Sequence, residues 1–176
     1  MTIEEYYALP EGTRAELIYG VIYDMSPPLR IHQKIITKVL TRFENFIQSK
    51  KGDCEVYTLP FDVRLSDDTA VEPDIAVVCD KSKLTDKGCE GAPDFIIEIA
   101  SSNSAHDYVR KLNLYYDYGV REYWIVDPKR KSVNVHLLDE NYGTNYYTFS
   151  DDVPVNIYGG ELKINISELL GQGSSC

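Results

Sequence analysis

The most constraining feature of the chain is a carboxylate set inside an apolar run, Phe95-Ile96-Ile97-Glu98-Ile99-Ala100. Such a run reads as a strand covered on both faces. An unpaired ionised carboxylate buried there would cost several kcal/mol or more, so Glu98 must be paired, protonated or bound to a cation. A bland alternative is a strand-end glutamate that is solvated or salt-bridged. A second apolar run, Ile75-Ala76-Val77-Val78, is entered through Glu72-Pro73-Asp74. Proline is tolerated at the start of a strand but not in mid-ladder, which places Asp74 at the mouth of the strand. Taken alone, Asp74 beside Pro73 also reads as an ordinary turn acid. Two carboxylates on adjacent strands suit Mg²⁺, which takes one or two carboxylates and keeps several waters. Asp94 also follows a proline, but it stands four residues before Glu98, about 13 Å away along an extended strand, too far to share an ion with it.

The rest of the chain frames these strands. Thr2 and Glu5 have capping-box spacing before a short helix through Leu9. Glu16 to Met25 reads as a hairpin about Tyr19-Gly20. Ile31, Ile35, Val39, Phe43 and Phe46 form one apolar stripe on a long helix, Ile31 to Ser49. Strands are expected at Glu55 to Leu59, Phe61 to Leu65, Val71 to Cys79, Phe95 to Ala100, Glu122 to Val126, Val133 to Leu138, Tyr146 to Phe149 and Leu162 to Ile164. A helix is expected from Ser104 to Tyr118, stopped by Gly119, and a last helical turn at Ile166 to Leu170. The strand-helix-strand unit over 95–126 indicates a mixed sheet with helices packed on it. Residues 1–170 are expected to form a single domain, with 171–176 a flexible tail.

On the second helix, Asp107, Lys111 and Tyr115 are spaced four apart and share a face. Tyr108, Leu112 and Tyr116 form the neighbouring apolar stripe, expected to dock on the sheet, which leaves Lys111 at its border and within reach of the Glu98 strand. There it could orient water or offset charge on a phosphate; an Asp107–Lys111 surface pair is the plain alternative.

No apolar run approaches the roughly 18 residues of a membrane span. Met1 to Glu5 is acidic and lacks the apolar region of a signal peptide. Cys54, Cys79, Cys89 and Cys176 form no CxxC pair. Cys79 reads as a buried free thiol, and a reducing, cytoplasmic compartment is expected. The net charge of −10 argues against a broadly basic groove built for nonspecific nucleic-acid affinity, although a bound cation can meet phosphate in its place. Lys34, Lys38, Arg42 and Arg110 are the candidates for phosphate contact. His32, His106 and His136 are dispersed, and surface or cap roles are expected, although His32 could approach the N-terminal acids. The clustered tyrosines fit packing at a dimer interface, and Trp124 reads as core.

The order Glu72-Pro73-Asp74, then Ala92-Pro93-Asp94 leading into Phe95 to Ser101, then Asp107 and Lys111, then Gly119 to Pro128, resembles the Uma2 family of endonucleases with the PD-(D/E)XK fold. Glu16 to Tyr23 and Pro27-Pro28 followed by His32 also match. The resemblance implies a restriction-endonuclease-like α/β fold: a mixed central sheet flanked by helices, with an extra N-terminal hairpin and C-terminal strands. It assigns Asp74 and Glu98 as the acids of the two motif halves. Ala100 stands where the motif carries lysine, and the resemblance moves that role to Lys111. Glu16 is implied to complete the metal shell, and Asp107 and Tyr115 to support Lys111. The expected activity is endonuclease cleavage of nucleic acid, DNA in the first instance. The ion would be Mg²⁺, or alternatively Mn²⁺, held by Asp74, Glu98, Glu16 and the Ile99 carbonyl. A C₂ homodimer is the expected assembly. Two alternatives stay open: a non-catalytic interaction domain on a nuclease fold, and a hydrolase of another phosphodiester.

Overall fold

The computed structural model describes residues 1–101, 105–139 and 142–171, without the side chains of 105–107. Ser104 and the tail from 172 onward lie outside the described residues.

Helix α1 (Ile3–Tyr7) begins with the expected capping box: Thr2 N–H donates to Glu5 Oε2 at 2.8 Å, and Glu5 N–H donates back to the Thr2 hydroxyl. Strands β1 (Ala15–Ile18) and β2 (Val21–Asp24) form the hairpin. Its two turn residues both take positive φ, Tyr19 at 50° and Gly20 at 76°, as the right-handed twist of a two-residue hairpin demands. Helix α2 spans Arg30–Lys50 and buries Ile35, Val39 and Phe43, the stripe read from their spacing.

The region expected as one strand from Val71 to Cys79 is two. After β3 (Glu55–Thr58) and β4 (Asp62–Ser66) come β5 (Thr69–Val71) and β6 (Ile75–Val78). Pro73 can donate nothing to a ladder, and around it the chain passes from one sheet to another. Strand β7 (Gly88–Glu90), absent from the sequence expectations, pairs in parallel with β4. A Cβ at Gly88 would lie 2.0 Å from the Asp62 carbonyl oxygen, so this close pairing requires glycine. Then follow β8 (Phe95–Ile99), α3 (Ala105–Asp117), β9 (Glu122–Asp127), β10 (Ser132–Leu137), β11 (Gly143–Thr148), β12 (Val153–Pro154), β13 (Lys163–Ile164) and α4 (Ile166–Leu169).

The main sheet has six strands in the order β11-β10-β9-β8-β6-β3, antiparallel except for β8 and β9. The parallel pair is joined through α3, the crossover legible as strand-helix-strand. A second sheet of five strands, β2-β1-β5-β4-β7, holds the N-terminal hairpin, and β12 pairs with β13. On one face of the main sheet Ile75, Val77, Phe95, Ile97 and Trp124 pack against α2. Ala76, Val78, Ile96, Tyr123 and Ile125 face the other way, against Leu114 and Tyr115 of α3 and Ile18, Val63 and Val71 of the second sheet. Burying each large side chain in such layers stabilises by about 1.5–3 kcal/mol. No helix among the described residues is long and apolar enough to cross a membrane.

Cys79 is not a free thiol. It is joined to Cys54 across the β3–β6 pair, where the register Glu55↔Val78 continues outward to bring the two cysteines opposite each other. The ground for expecting a reducing compartment is thereby removed. Cys89 is buried and free.

Candidate active site

Strand periodicity decides where the carboxylates point. Successive side chains alternate between faces, so Glu98 shares the face of Ile96, toward α3. Asp74 falls on the same parity as Ala76. Strands β6 and β8 pair as Ile75↔Ile97 and Ala76↔Ile96, and one step outward along this register sets Asp74 opposite Glu98. Glu16 has the parity of Ile18, which packs into the same layer from the second sheet. Three carboxylates from three strands thus meet where α3 crosses between the two sheets.

Lys111 lies among them. Its ammonium donates to Glu98 Oε1 at 2.8 Å and to Glu16 Oε1 at 2.9 Å. Lys111 is only 4% exposed, so it occupies the docking face of α3, not the border of it, and the surface-pair alternative does not describe it. That face runs through Lys111, Leu114 and Tyr115, while Tyr116, expected to dock, is exposed. The Tyr115 hydroxyl donates to Glu98 Oε1 at 2.8 Å. Glu16 Oε1 also accepts the Glu72 N–H at 3.1 Å. Asp74 Oδ2 accepts the Ile99 N–H at 2.6 Å, which anchors its carboxylate to the end of the Glu98 strand.

Burial dominates the electrostatics. Desolvation pushes the Glu98 carboxyl up to about 8; Lys111 opposes the shift, and Asp74 and Glu16 add to it. Asp74 is also raised, first by desolvation, against the pull of the Ile99 N–H, Lys111 and His32. Tyr115 is raised well above its usual range by burial and by Glu98, so it stays a donor. Four acids, Glu16, Asp24, Asp74 and Glu98, face Arg14, Arg110 and Lys111 in the lining of one cleft, and a divalent cation would offset the carboxylates crowded about Glu98.

The donor set fits Mg²⁺. Among the described residues no three His, Cys, Asp or Glu side chains close into a metal cage. Two carboxylates with further oxygens left to water are nevertheless what Mg²⁺ takes. Lys111 and Tyr115 both bond to Oε1 of Glu98, and Ile99 bonds to Oδ2 of Asp74. Glu98 Oε2 and Asp74 Oδ1 accept no hydrogen bond among the described residues. Glu16, engaged by Lys111 and the Glu72 N–H, is the weakest of the three as a ligand.

Glu16, Asp74, Glu98, Ile99 and Lys111 line a cleft of about 450 Å³. His32 is in its wall and is buried, so it takes neither the surface nor the cap role expected first but shares the cleft with the N-terminal acid Glu16, the approach the sequence also allowed. His136 is buried too, beside Tyr123 and with Nδ1 2.9 Å from the Thr144 hydroxyl, far from the cleft lining. Arg110 lines the cleft with its guanidinium 3.7 Å from the centre of the Tyr23 ring. Arg14, which no motif marked, lines it as well, whereas Lys34, Lys38 and Arg42 are exposed on α2 and absent from the lining. Arg14 could have been found only from its place two residues before Glu16 on the same hairpin. Asp94 is at the far end of β8, where it accepts the Cys79 N–H and approaches Arg121. The side chains of His106 and Asp107 lie outside the described residues. Tyr115 and Tyr123 are core, not interface, while Tyr116, Tyr142 and Tyr146 are exposed.

A family model described as "Uma2: Putative restriction endonuclease" matches residues 3–165. Among solved structures, the chain is similar to "a putative nuclease belonging to DUF820" from Anabaena variabilis ATCC 29413, with a TM-score of 0.81 over 98% of each chain at 22% identity. At that identity the likeness shows the fold, which is restriction-endonuclease-like: a mixed sheet flanked by helices. No functionally curated protein matches the chain.

Proposed function

The chain belongs to the Uma2 family, and from that premise we propose that it is a Mg²⁺-dependent endonuclease that hydrolyses DNA phosphodiesters in the Asp74–Glu98 cleft. The observation that carries the reading is the facing of Asp74 and Glu98 across the β6–β8 register with the Lys111 ammonium 2.8 Å from Glu98.

Asp74, Glu98 and the Ile99 carbonyl would hold the ion, with Mn²⁺ as a substitute. When bound, it supplies Lewis acidity to the scissile phosphate and the attacking water. Tyr115 fixes Glu98 Oε1, leaving Oε2 for the cation. Glu16 fixes Lys111, whose ammonium offsets the negative charge that develops on the phosphate. Lys111 thereby does the work of the lysine replaced by Ala100. Arg110, lying over Tyr23, and Arg14 line the cleft wall, where they would meet phosphates despite a net charge of −10. A C₂ homodimer would present two such clefts to two strands.

The test is nicking of supercoiled plasmid. Wild type is expected to nick it with Mg²⁺ and not with EDTA, and Glu98→Ala to be inactive while still folded. Equal nicking by Glu98→Ala would overturn the assignment. The net charge and Ala100 favour a second reading, an interaction domain without catalysis. That reading predicts no divalent-ion binding for Asp74→Asn to abolish.

A further inference from the structure

The carboxylate cleft continues into a second hollow of about 800 Å³ at the carboxyl ends of β8 and β9. The two spaces share Leu29, His32, Ser101 and Tyr108 in their walls, so they form one trough. The second hollow is within the size range of small-ligand sites. Ile31, Ile125 and Pro128 give it apolar walls beside the Tyr108 ring. Its lip carries two cations and one acid. Lys129 and Arg130 stand on the β9–β10 turn beside Asp127, which also lines the hollow and whose Oδ1 accepts the N–H groups of Lys129 and Arg130, each at 2.9 Å. Arg130 also approaches Asp127 Oδ2 at 3.8 Å, with its own side chain 84% exposed.

An apolar interior with two cations against one acid at its lip, continuous with the cleft in which the nuclease reading puts the scissile phosphate, matches one nucleotide with its base turned in and its phosphates at the rim. Paired bases in a duplex offer only their edges, so a ring in the wall cannot stack on them. An unpaired base offers its face, and aromatic stacking of this kind is tolerant of sequence. A chain of net charge −10 also lacks the broad basic surface that drives general duplex affinity. Tyr108 and Lys111 are three apart on α3 and therefore neighbours on its surface. A base against Tyr108 would belong to a nucleotide next to the phosphate at Lys111.

We propose that this hollow is a subsite for an unpaired base adjacent to the scissile phosphate, making single-stranded or locally melted nucleic acid the substrate class. The proposal rests on the nuclease reading above, and the experiment keeps the two apart. A fluorescein-tagged dodecamer of thymidines is titrated with the full chain in Ca²⁺ and followed by anisotropy, beside a duplex of equal length. The single strand is expected to bind more tightly than the duplex. Tyr108→Ala is expected to weaken strand binding by roughly tenfold, and Tyr108→Phe to restore it. Asn134→Trp, which fills the hollow from β10 and leaves Tyr108 intact, is expected to weaken it as well. Duplex binding as tight as strand binding, or strand affinity unchanged in both Tyr108→Ala and Asn134→Trp, would overturn the proposal. Cleavage in Mg²⁺ is read separately. If no substrate is cut yet the Tyr108-dependent strand preference holds, the nuclease reading fails and the subsite stands. If duplex is cut equally by wild type and both variants, the subsite fails and the nuclease reading stands.

Discussion

Glu98 in β8 and Glu122 in β9 stand in neighbouring parallel strands, and both are nearly excluded from water, at 8% and 1% exposure. Burial raises both carboxyls. Their surroundings differ. Glu122 points to the α2 face, and both of its oxygens are taken by neutral donors. Trp124 Nε1 at 2.7 Å and Asn156 Nδ2 at 3.1 Å bond to Oε1, and the Ile157 N–H at 2.9 Å bonds to Oε2. Glu98 points to the α3 face, where Lys111 and Tyr115 share one oxygen and two other acids crowd it. Glu122 ties the segment after β12 to the main sheet, and Glu98 faces a cleft. A buried carboxylate alone therefore says little about function. Its unshared oxygen, the like charges around it and an open space beside it say more.

The comparison breaks most sharply on activity. Glu98→Gln is expected to lose Mg²⁺-dependent cleavage by on the order of a thousandfold or more. Glu122→Gln, which keeps the shape and one acceptor, is expected to stay within about twofold of wild type, since it touches no part of the cleft. Initial rates on plasmid decide this, and equal losses in the two variants would erase the distinction.

Stability should separate the pair in the opposite sense. Glu122→Ala leaves Trp124 Nε1 and the Ile157 N–H without their acceptor, at a cost of about 2–3 kcal/mol. Glu98→Gln removes a carboxylate that the fold holds against its preference. Its denaturation midpoint at alkaline pH is expected to equal or exceed that of wild type. Urea unfolding monitored through Trp124 gives both numbers.

A further effect follows from pH. The Glu98 carboxyl titrates near 4.5 when unfolded and about 8 when folded. Between those values the native chain keeps a proton that the unfolded chain has lost, so stability falls as pH rises across the window. The decline is expected to be on the order of a few kcal/mol in metal-free protein. It should flatten in Glu98→Gln. Mg²⁺ should also oppose it, because binding displaces the same proton. A wild-type curve with the same slope as Glu98→Gln would show that the shift lies elsewhere.

Long periodic segments are legible in the sequence. The stripe of α2, the Tyr19-Gly20 hairpin and the β8-α3-β9 crossover follow from local pattern alone. Strands β5 and β7 were not legible, because three residues carry too little periodicity and their pairing is set by distant partners. The Cys54–Cys79 bridge depends on the β3–β6 register, which no local spacing encodes. Asp74 and Glu98 stand out as acids within or at the mouth of apolar runs, but so, on that signal alone, would Glu122, two of whose three donors, Asn156 and Ile157, lie more than thirty residues away. Lys111 was placed on the right helix at the edge of the wrong stripe. An ammonium that bonds to two buried carboxylates can occupy a docking face that hydrophobicity would deny it.

A crystal soaked in Mn²⁺ tests the centre of the account most directly. The expected result is a single anomalous peak in the cleft, touching Asp74 Oδ1 and Glu98 Oε2, with Lys111 still bonded to Glu98 Oε1 and no peak near Glu122. Manganese bound only elsewhere, or a cleft without a peak at saturating Mn²⁺, would contradict it.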